Sequence, residues 1–211
     1  MRRAYLSLER PGCGRYDEKK SVFLSFAYPV ANEEEALTKL AEIKNQYPDA
    51  RHHVYAYRLR QDSKTRFSDD GEPSGTAGIP VLDLLRAGDV TDALVVVVRY
   101  FGGTLLGTGG LVRAYTTAAK QAIDDANPVT YTPALRVKAR AGYSDYKRLE
   151  SLLSRYTVVN TQFAEEVSFE MLIPEEAIDR FTASVRETTA GRCVAEVLEE
   201  LFSAQKTEMG E

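Results

Sequence analysis

The sequence predicts an α+β protein made of two consecutive domains. Strand-like and helix-like segments alternate along its 211 residues, and neither type dominates. Pro128 and Pro133 interrupt this pattern near the middle, where a helix cannot continue. Basic and acidic side chains balance in residues 1–132, so the net charge of −4 belongs to residues 133–211. A break in pattern and a shift in charge at the same place indicate a domain boundary.

The first half contains three strand-like and three helix-like segments. Apolar residues alternate along residues 20–28, as on a strand with one buried face. Asn32 is a suitable helix N-cap ahead of three glutamates, and Pro48 stops that helix. The run Ala93–Val98 is apolar and rich in β-branched residues, which is typical of a strand buried on both faces. In order, the pattern predicts strand 20–28, helix 32–47, strand 53–60, a polar loop over 61–75, helix 76–87, strand 92–101 and a long helix after Gly110.

The second half is predicted to contain strand, helix, strand, strand and helix, followed by a segment of ambiguous type. Apolar residues alternate along 135–141, and two further strands, 157–163 and 167–173, follow the first helix. The last segment, 193–202, fits a helix as well as a strand, but the order of the elements before it favours a strand. That βαββαβ order predicts a ferredoxin-like domain. We expect one domain over residues 1–130, a second over 131–205 and a disordered polar tail over 206–211.

Composition narrows the class of protein. Apolar residues make up 44% and charged residues 27%, as in a soluble globular protein. The negative net charge argues against a strongly electrostatic nucleic-acid binder but is compatible with a local basic patch. The longest apolar run is too short to cross a bilayer, and the N-terminus lacks the apolar core of a signal peptide. Cys13 and Cys193 lie far apart without metal-ligand spacing, so we expect free thiols, no metal, no cofactor and a cytoplasmic location.

Three segments carry unusual strings of residues: DARHHVYAY at 49–57, DDGEPSGTAG at 69–78 and RYFGGTLLGTGGLVRAY at 99–115. In this order and spacing they closely resemble the motifs of the YigZ/IMPACT family. The second half resembles, through its order of elements, the small C-terminal domain of bacterial members. The resemblance implies that the first domain has the fold of the second domain of ribosomal protein S5. It also implies that the second resembles the ferredoxin-like domains of elongation factor G.

The resemblance further implies a link to translation. Eukaryotic relatives modulate translation by binding a partner protein that activates a stress kinase, whereas no settled molecular activity follows for bacterial members. We therefore expect a regulatory binding protein rather than a classical enzyme. Its partner would be a translation-related protein, or the ribosome and its RNA, with no membrane contact and no DNA specificity.

Asp69, Asp70 and Glu72 place three carboxylates just before a glycine-rich helix start. Such a set can hold a hard cation such as Mg²⁺ or perform acid–base work. The alternative is a tight turn whose carboxylates accept backbone N–H bonds and favour the start of the helix. His53 is a candidate companion. Because neighbouring strand residues point to opposite faces, at most one of His52 and His53 should reach the carboxylates.

Two glycine-rich segments could bind an anion through exposed backbone amides. Ser74, Gly75 and Thr76 open one helix, and the loop after the buried strand contains Gly102, Gly103, Gly107, Gly109 and Gly110. This second segment is not a Walker A loop, since no Gly-Lys-Ser/Thr closes it, and it lacks the third glycine of a dinucleotide fingerprint. The alternative is tight strand-to-helix packing that requires left-handed glycines.

Arg99 and Arg113 flank the second glycine-rich segment. A guanidinium can clamp a phosphate with two hydrogen bonds, so both arginines could line one groove with the two helix starts. The ligand of that groove would be RNA backbone, a nucleotide or an acidic peptide. The alternative, which can hold at the same time, is that the arginines pair with the carboxylates at 69–72. No catalytic residue is assigned.

A second basic feature lies beyond the predicted boundary. Arg136, Lys138 and Arg140 form a stripe along one strand face, which either faces RNA or is paired across the sheet with Ser168 and Glu170. Two further functions therefore stay open beside a regulatory binding protein. One is an enzyme acting on a nucleotide or a phosphorylated small molecule, and the other is direct RNA binding.

Overall fold

A computed structural model describes residues 2–204, apart from the side chain of Asp62. It divides into two compact units. The first unit is Tyr5–Thr130, and the second contains the described residues from 131 onward together with residues 2–4. The tail predicted over 206–211 lies outside the described residues. No helix within the described chain is long and apolar enough to span a membrane.

The first unit is built on an antiparallel sheet with helices on both faces. Its strands are β1 (Tyr5–Leu8), β2 (Gly12–Glu18), β3 (Ser21–Pro29), β4 (His52–Arg58), β5 (Thr65–Ser68) and β6 (Ala93–Tyr100), and its helices are α1 (Glu33–Gln46), α2 (Gly78–Ala87) and α3 (Gly107–Asp125). The sheet has the order β2-β3-β6-β4-β5, which places β6 at its centre, and β1 is not part of it. Every neighbouring pair in this sheet is antiparallel.

The second unit has the predicted βαββαβ order. Its elements are β7 (Pro128–Ala141), α4 (Tyr143–Leu153), β8 (Thr157–Phe163), β9 (Val167–Pro174), α5 (Ile178–Thr188) and β10 (Ala195–Ala204). In its sheet the order is β1-β7-β9-β8, and β10 also pairs with β7. The last segment, whose type was ambiguous by spacing alone, is therefore a strand. Two antiparallel sheets with five helices confirm the predicted α+β class.

The central strand β6 is buried on both faces, as its run of apolar residues predicts. Val95 and Val97 pack in one cluster with Ala118 of α3. Val96 and Val98 pack in a second cluster with Ile43 of α1 and its neighbours. The strand therefore separates two cores, one under α2 and α3 and one under α1.

The helices of the first unit begin in three different ways. The side chain of Asn32 accepts a hydrogen bond from the Glu35 amide at 2.9 Å, so it caps α1 as predicted. α2 has no cap from the residue that precedes it. α3 likewise begins at Gly107 without a side-chain cap from Leu106. The two starts that lack a cap from the preceding residue are the glycine-rich segments singled out by sequence.

The sequence prediction lacks three strands of the first unit, β1, β2 and β5. β5 lies inside the predicted polar loop, because its four residues carry a single apolar side chain, Phe67, and show no alternation. The division between the two units, after Thr130, lies within β7, since a proline is tolerated as the first residue of a strand. Residues 2–4 join the second unit, where Arg2 bonds to Glu175 and to the carbonyl of Leu201.

Candidate functional site

The three unusual segments meet at one end of the first unit's sheet. β6 ends there at Tyr100, β5 ends at Ser68, and β4 and β3 begin there. The strand register places Arg99 between Phe23 on β3 and His52 on β4. Antiparallel pairing therefore brings segments 49–57, 69–78 and 99–115 together although they are far apart in sequence.

The carboxylate of Asp69 caps helix α2. Its oxygens accept hydrogen bonds from the amides of Gly75, Ala77 and Gly78 at 2.9, 3.1 and 2.8 Å. A carboxylate at a helix N-terminus also interacts favourably with the helix dipole. The sequence suggested that the amides of Ser74–Thr76 could bind an external anion. The protein's own Asp69 carboxylate instead accepts the amide of Gly75 and occupies this helix start.

Asp70 holds the start of β4 through both its main chain and its side chain. Its carboxylate accepts the amide of His53 at 2.7 Å. Its carbonyl lies 2.8 Å from Nδ1 of His52, and because a carbonyl only accepts, this nitrogen carries the proton. The same reasoning puts a proton on Nε2 of His53, which lies 3.0 Å from the carbonyl of Tyr47.

Both histidines approach a carboxylate, so the expectation that at most one would do so is wrong. Nε2 of His52 lies 3.9 Å from Glu72, and Nδ1 of His53 lies 3.8 Å from Asp70. The two rings do point to opposite faces of the sheet. Segment 69–72, however, crosses the sheet end and presents one carboxylate to each face. The sequence interpretation chose His53, whereas His52 is the histidine on the side of Arg99.

Glu72, Arg99 and Tyr115 form a buried group beneath the sheet end. One oxygen of Glu72 accepts hydrogen bonds from Nη1 of Arg99 at 2.5 Å and from the Tyr115 hydroxyl at 2.8 Å. The side chains of Glu72 and Arg99 are 4% and 6% exposed. Burial, reinforced by the Glu72 carboxylate, raises the pKa of the Tyr115 phenol far above its usual range, so it stays a neutral donor. The alternative that Arg99 pairs with an acid of the companion motif describes this arrangement.

Arg99 also supports the start of the glycine-rich loop. Its Nη2 lies 3.5 Å from the hydroxyl of Ser21, which accepts the amide of Gly102 at 3.1 Å. A Cβ atom at Gly102 would overlap the backbone of Lys20. Gly102 is therefore a glycine because the loop crosses the turn between β2 and β3 in direct contact. Nε of Arg99 has no hydrogen-bond partner within the described residues.

The rest of the loop is open. Gly103 and Gly107 adopt left-handed φ angles of 83° and 71°. A Cβ at Gly103, Gly107 or Gly109 would meet nothing within 4 Å. Leu105 is 83% exposed and Phe101 is 48% exposed. The start of α3 therefore presents its backbone to the surroundings, whereas the start of α2 is covered by Asp69.

Basic side chains surround this open loop. Lys19 and Lys20 form the turn that contacts Gly102, and Arg113 lies on α3. The hydrogen bond to Glu18 raises the pKa of the nearby Tyr16 phenol, and the charge of Arg113 opposes this effect. All three cations are exposed, and none forms an ion pair with another residue in the described chain. We call Lys19, Lys20, the loop 101–110 and Arg113 the sheet-end surface. Arg113 lies apart from the buried Glu72–Arg99 pair, so the two predicted arginines have different environments.

The acidic residues of the same region point inward or are bonded within the protein. Asp69 is held by amides, Asp70 by the His53 amide, and Glu72 by Arg99 and Tyr115. Within residues 2–204, no group of three His, Cys, Asp or Glu side chains is arranged to hold a metal ion. The turn interpretation of segment 69–72 therefore describes Asp69 and Asp70, which accept backbone amides, whereas Glu72 pairs with Arg99.

The basic stripe on β7 is paired across the sheet. Nη2 of Arg136 lies 2.7 Å from Glu170 on β9, and its Nη1 lies 3.2 Å from Glu199 on β10. Lys138 approaches Glu170 at 3.7 Å. Neighbouring acids therefore offset most of the stripe's charge, and the sheet-end surface is the stronger candidate for an anionic ligand.

Comparisons with known proteins agree with this two-unit architecture. A family model described as the Impact N-terminal domain matches residues 19–123, and one described as a domain of unknown function, DUF1949, matches residues 140–192. A crystal structure described as that of a hypothetical protein superposes with a TM-score of 0.61 at 30% identity, covering 94% of this chain and 99% of that chain.

Two bacterial relatives match along most of their length. An IMPACT family member of Haemophilus influenzae is 35% identical over 186 residues, which is 86% of this chain and 90% of that protein. IMPACT family member YigZ of Escherichia coli is 33% identical over 187 residues, which is 86% of this chain and 92% of that protein. The Impact N-terminal match contains every residue of the sheet-end surface, and the chain belongs to the IMPACT family.

Proposed function

We propose that this protein is a regulatory binding protein of the translation apparatus and that it contacts its partner through the sheet-end surface. The family resemblance supports the link to translation. The distribution of charge supports the choice of surface. The same end of the sheet was singled out by three sequence segments, and the structure brings those segments together.

The observation that carries the proposal is the separation of charges at the sheet end. Carboxylates of Asp69, Asp70 and Glu72 bond to the protein itself, whereas Lys19, Lys20 and Arg113 extend outward without acidic partners in the described chain. The exposed backbone of loop 101–110 adds donors at the positive end of α3. A surface of this kind favours an anionic partner, such as RNA backbone or an acidic protein segment.

The geometry favours binding over catalysis. The ionisable side chains of Glu72 and Arg99, which could serve in catalysis, are nearly fully buried and bonded to each other. A substrate would have to displace this pair before reaching either group. The exposed groups are instead cations, glycines and the apolar side chains of Phe101 and Leu105.

The proposal can be tested by affinity purification from a bacterial lysate. The wild-type chain is compared with a Lys20→Glu/Arg113→Glu variant, and ribosomal proteins, translation factors and RNA are quantified in the eluates. We expect the wild type to enrich such partners and the variant to lose several-fold of the recovery, with a steep loss in added salt.

A matched control reverses the same two residue types elsewhere. Lys39→Glu/Arg86→Glu changes the net charge equally, but Lys39 lies on α1 and Arg86 lies at the end of α2. This control should retain the wild-type recovery. Absence of translation components from the wild-type eluate, or equal losses in both variants, would contradict the proposal.

One observation favours a second function, an enzyme acting on a nucleotide or a phosphorylated small molecule. The start of α3 combines left-handed glycines with amides that Leu106, the preceding residue, does not cap, as phosphate-binding loops do. Thermal unfolding with millimolar ATP, GTP and Mg²⁺ separates the two functions, because a ligand that binds the folded state raises Tm. A Tm that rises with nucleotide and is insensitive to Arg136→Glu but sensitive to Arg113→Glu would favour the enzyme.

A further inference from the structure

Strand β8 is an outer strand of the second unit's sheet. Within residues 2–204 it is hydrogen-bonded to β9 alone, at the end of the order β1-β7-β9-β8. Six of its seven residues are exposed. Its outward edge therefore offers unpaired backbone donors and acceptors, which is the usual template for adding another strand.

The residues of β8 do not protect this edge. The strand reads TVVNTQF, with no charged residue and no proline. β10, the outer strand on the other side of the sheet, carries Glu196, Glu199 and Glu200. Charged side chains normally prevent edge strands from pairing with other chains. One edge of the sheet is thus protected by charge and the other is not.

The pairing with β9 indicates which side chains of β8 share a face. Val158 pairs with Met171 and Asn160 pairs with Glu170, so Val159 is an additional residue between two successive pairs. Successive strand residues alternate in direction, so Val159 lies on the face opposite to its neighbour Asn160, which is the face of Met171. Phe163 pairs with Val167 on that same face. Asn160 lies on the opposite face with Gln162, which pairs with Ser168.

This pattern is complementary to itself. In an antiparallel pair of two β8 strands centred on Thr161, that residue faces its own symmetry mate. Asn160 then faces Gln162, so two amides meet on the outer face. Val159 faces Phe163, so two apolar side chains meet on the inner face. A two-fold axis perpendicular to the sheet keeps the inner and outer faces of both copies aligned. Since the strand is uncharged, no like charges meet.

Exposed apolar side chains at this edge would become buried against a second copy of the strand. Phe163 is 64% exposed and Val159 is 48% exposed. Tyr143, at the start of α4, stacks on Phe163 with ring centroids 6.5 Å apart and is itself 54% exposed. Burial of such side chains against a second copy is favourable, because apolar surface leaves water.

We propose that two copies of this chain associate through antiparallel pairing of their β8 strands, centred on Thr161. The two sheets then form one continuous sheet. This association does not depend on the proposed function, because it involves the second unit and none of the residues of the sheet-end surface.

Symmetric disulfide formation tests the register. In a full-length Cys13→Ser background, Thr161→Cys places two thiols on directly opposed residues, whose Cα atoms are about 4.5–5.5 Å apart in an antiparallel pair, within the range a disulfide needs. Cys193 is buried and stays in place. Thr157→Cys is the matched control, since its symmetry mate would lie about eight residues away along the strand, roughly 26 Å. We expect the Thr161→Cys variant alone to form a covalent dimer under mild oxidation.

Sedimentation equilibrium of the unaltered chain supplies an independent measurement. The dimer fraction should rise with concentration from micromolar to roughly millimolar. Thr161→Lys places two like charges in contact and should reduce the dimer at least tenfold, whereas Thr157→Lys should not. A wild-type chain that stays monomeric over this range overturns the proposal. Binding of an extended peptide of another protein at this edge, without a dimer, would overturn it as well. Equal cross-linking of the Thr157→Cys and Thr161→Cys variants would overturn the register.

Discussion

The two glycine-rich helix starts of the first unit have similar compositions and opposite environments. At α2, Asp69 accepts three backbone amides and closes the helix end. At α3, the helix begins at Gly107 without a side-chain cap, and open space surrounds three of the loop glycines. Glycines at a helix start allow an anion to approach the backbone amides closely. Whether that anion is a side chain of the same protein, as at α2, or an external group depends on the surrounding fold.

The free energy of unfolding should depend most strongly on the buried pair of Glu72 and Arg99, next to the start of α2 that Asp69 closes. Glu72→Gln keeps the shape of the side chain but leaves Arg99 as a buried charge without its counter-ion. Loss of one partner of a buried ion pair typically costs about 3–5 kcal/mol. We expect a decrease of this size in the free energy of unfolding, measured by urea denaturation. Glu34→Gln on the exposed face of α1 is the control and should change it by less than about 0.5 kcal/mol. Similar small effects in both variants would show that the pair is not buried in solution.

Two glycines of the same loop should respond in opposite directions to alanine. A methyl group at Gly102 overlaps the backbone of Lys20, so Gly102→Ala should cost about 3 kcal/mol in the free energy of unfolding. A methyl group at Gly109 meets nothing within 4 Å and lies within α3. Gly109→Ala should therefore be neutral or stabilise by up to about 1 kcal/mol. Equal tolerance of both substitutions, in matched denaturation curves, would contradict the close contact of the loop with the β2–β3 turn.

Removal of the internal anion should convert the closed helix start into an open one. Asp69→Ala leaves three amides at the start of α2 without their acceptor and should cost about 2 kcal/mol. Asp83→Ala, which removes an exposed partner of Arg86 on the same helix, should cost less than about 0.5 kcal/mol. Hydrogen exchange at the amides of Gly75, Ala77 and Gly78 should accelerate in the first variant only. Unchanged protection there would refute the capping role.

The smallest expected effect concerns pH. Burial raises the pKa of Tyr115 in the folded state, so the neutral phenol contributes stability below the unfolded pKa of about 10, and this is lost as pH rises further. Tyr115→Phe should cost about 1 kcal/mol at neutral pH through the lost bond to Glu72. It should also make the fall of stability above about pH 10 less steep than in the wild type. Parallel alkaline profiles for the two proteins would show that Tyr115 does not titrate with unfolding.

Elements governed by local pattern were predictable from the sequence. The apolar run of β6 indicated burial on both faces, and Asn32 followed by glutamates indicated the start of α1. The order of elements identified β10 as a strand although its spacing was ambiguous. In each case the signal lies within a few neighbouring residues or in the sequence of elements.

Features set by contacts between distant segments were not predictable. β2 and β5 are outer strands whose residues show little alternation, and they are held by pairing with β3 and β4. The sequence left a cation site and a turn with bonded backbone amides as alternatives for Asp69, and only the folded chain shows its carboxylate on the amides of Gly75, Ala77 and Gly78. The choice between His52 and His53 needed the register of β4 against β6, which fixes the face toward Arg99. The three motif segments could be recognised, but their individual bonds depend on long-range pairing.

The guanidinium of Arg2 has a practical consequence for dissecting this chain. It bonds to Glu175 and to the carbonyls of Ala134 and Leu201, all of which lie more than 130 residues away along the chain. A fragment that begins at residue 131 would lack Arg2. The Glu175 carboxylate and the two carbonyls would then lose their hydrogen bonds to its guanidinium. Instability of such a fragment would then report the missing arginine rather than an inability of the second unit to fold by itself.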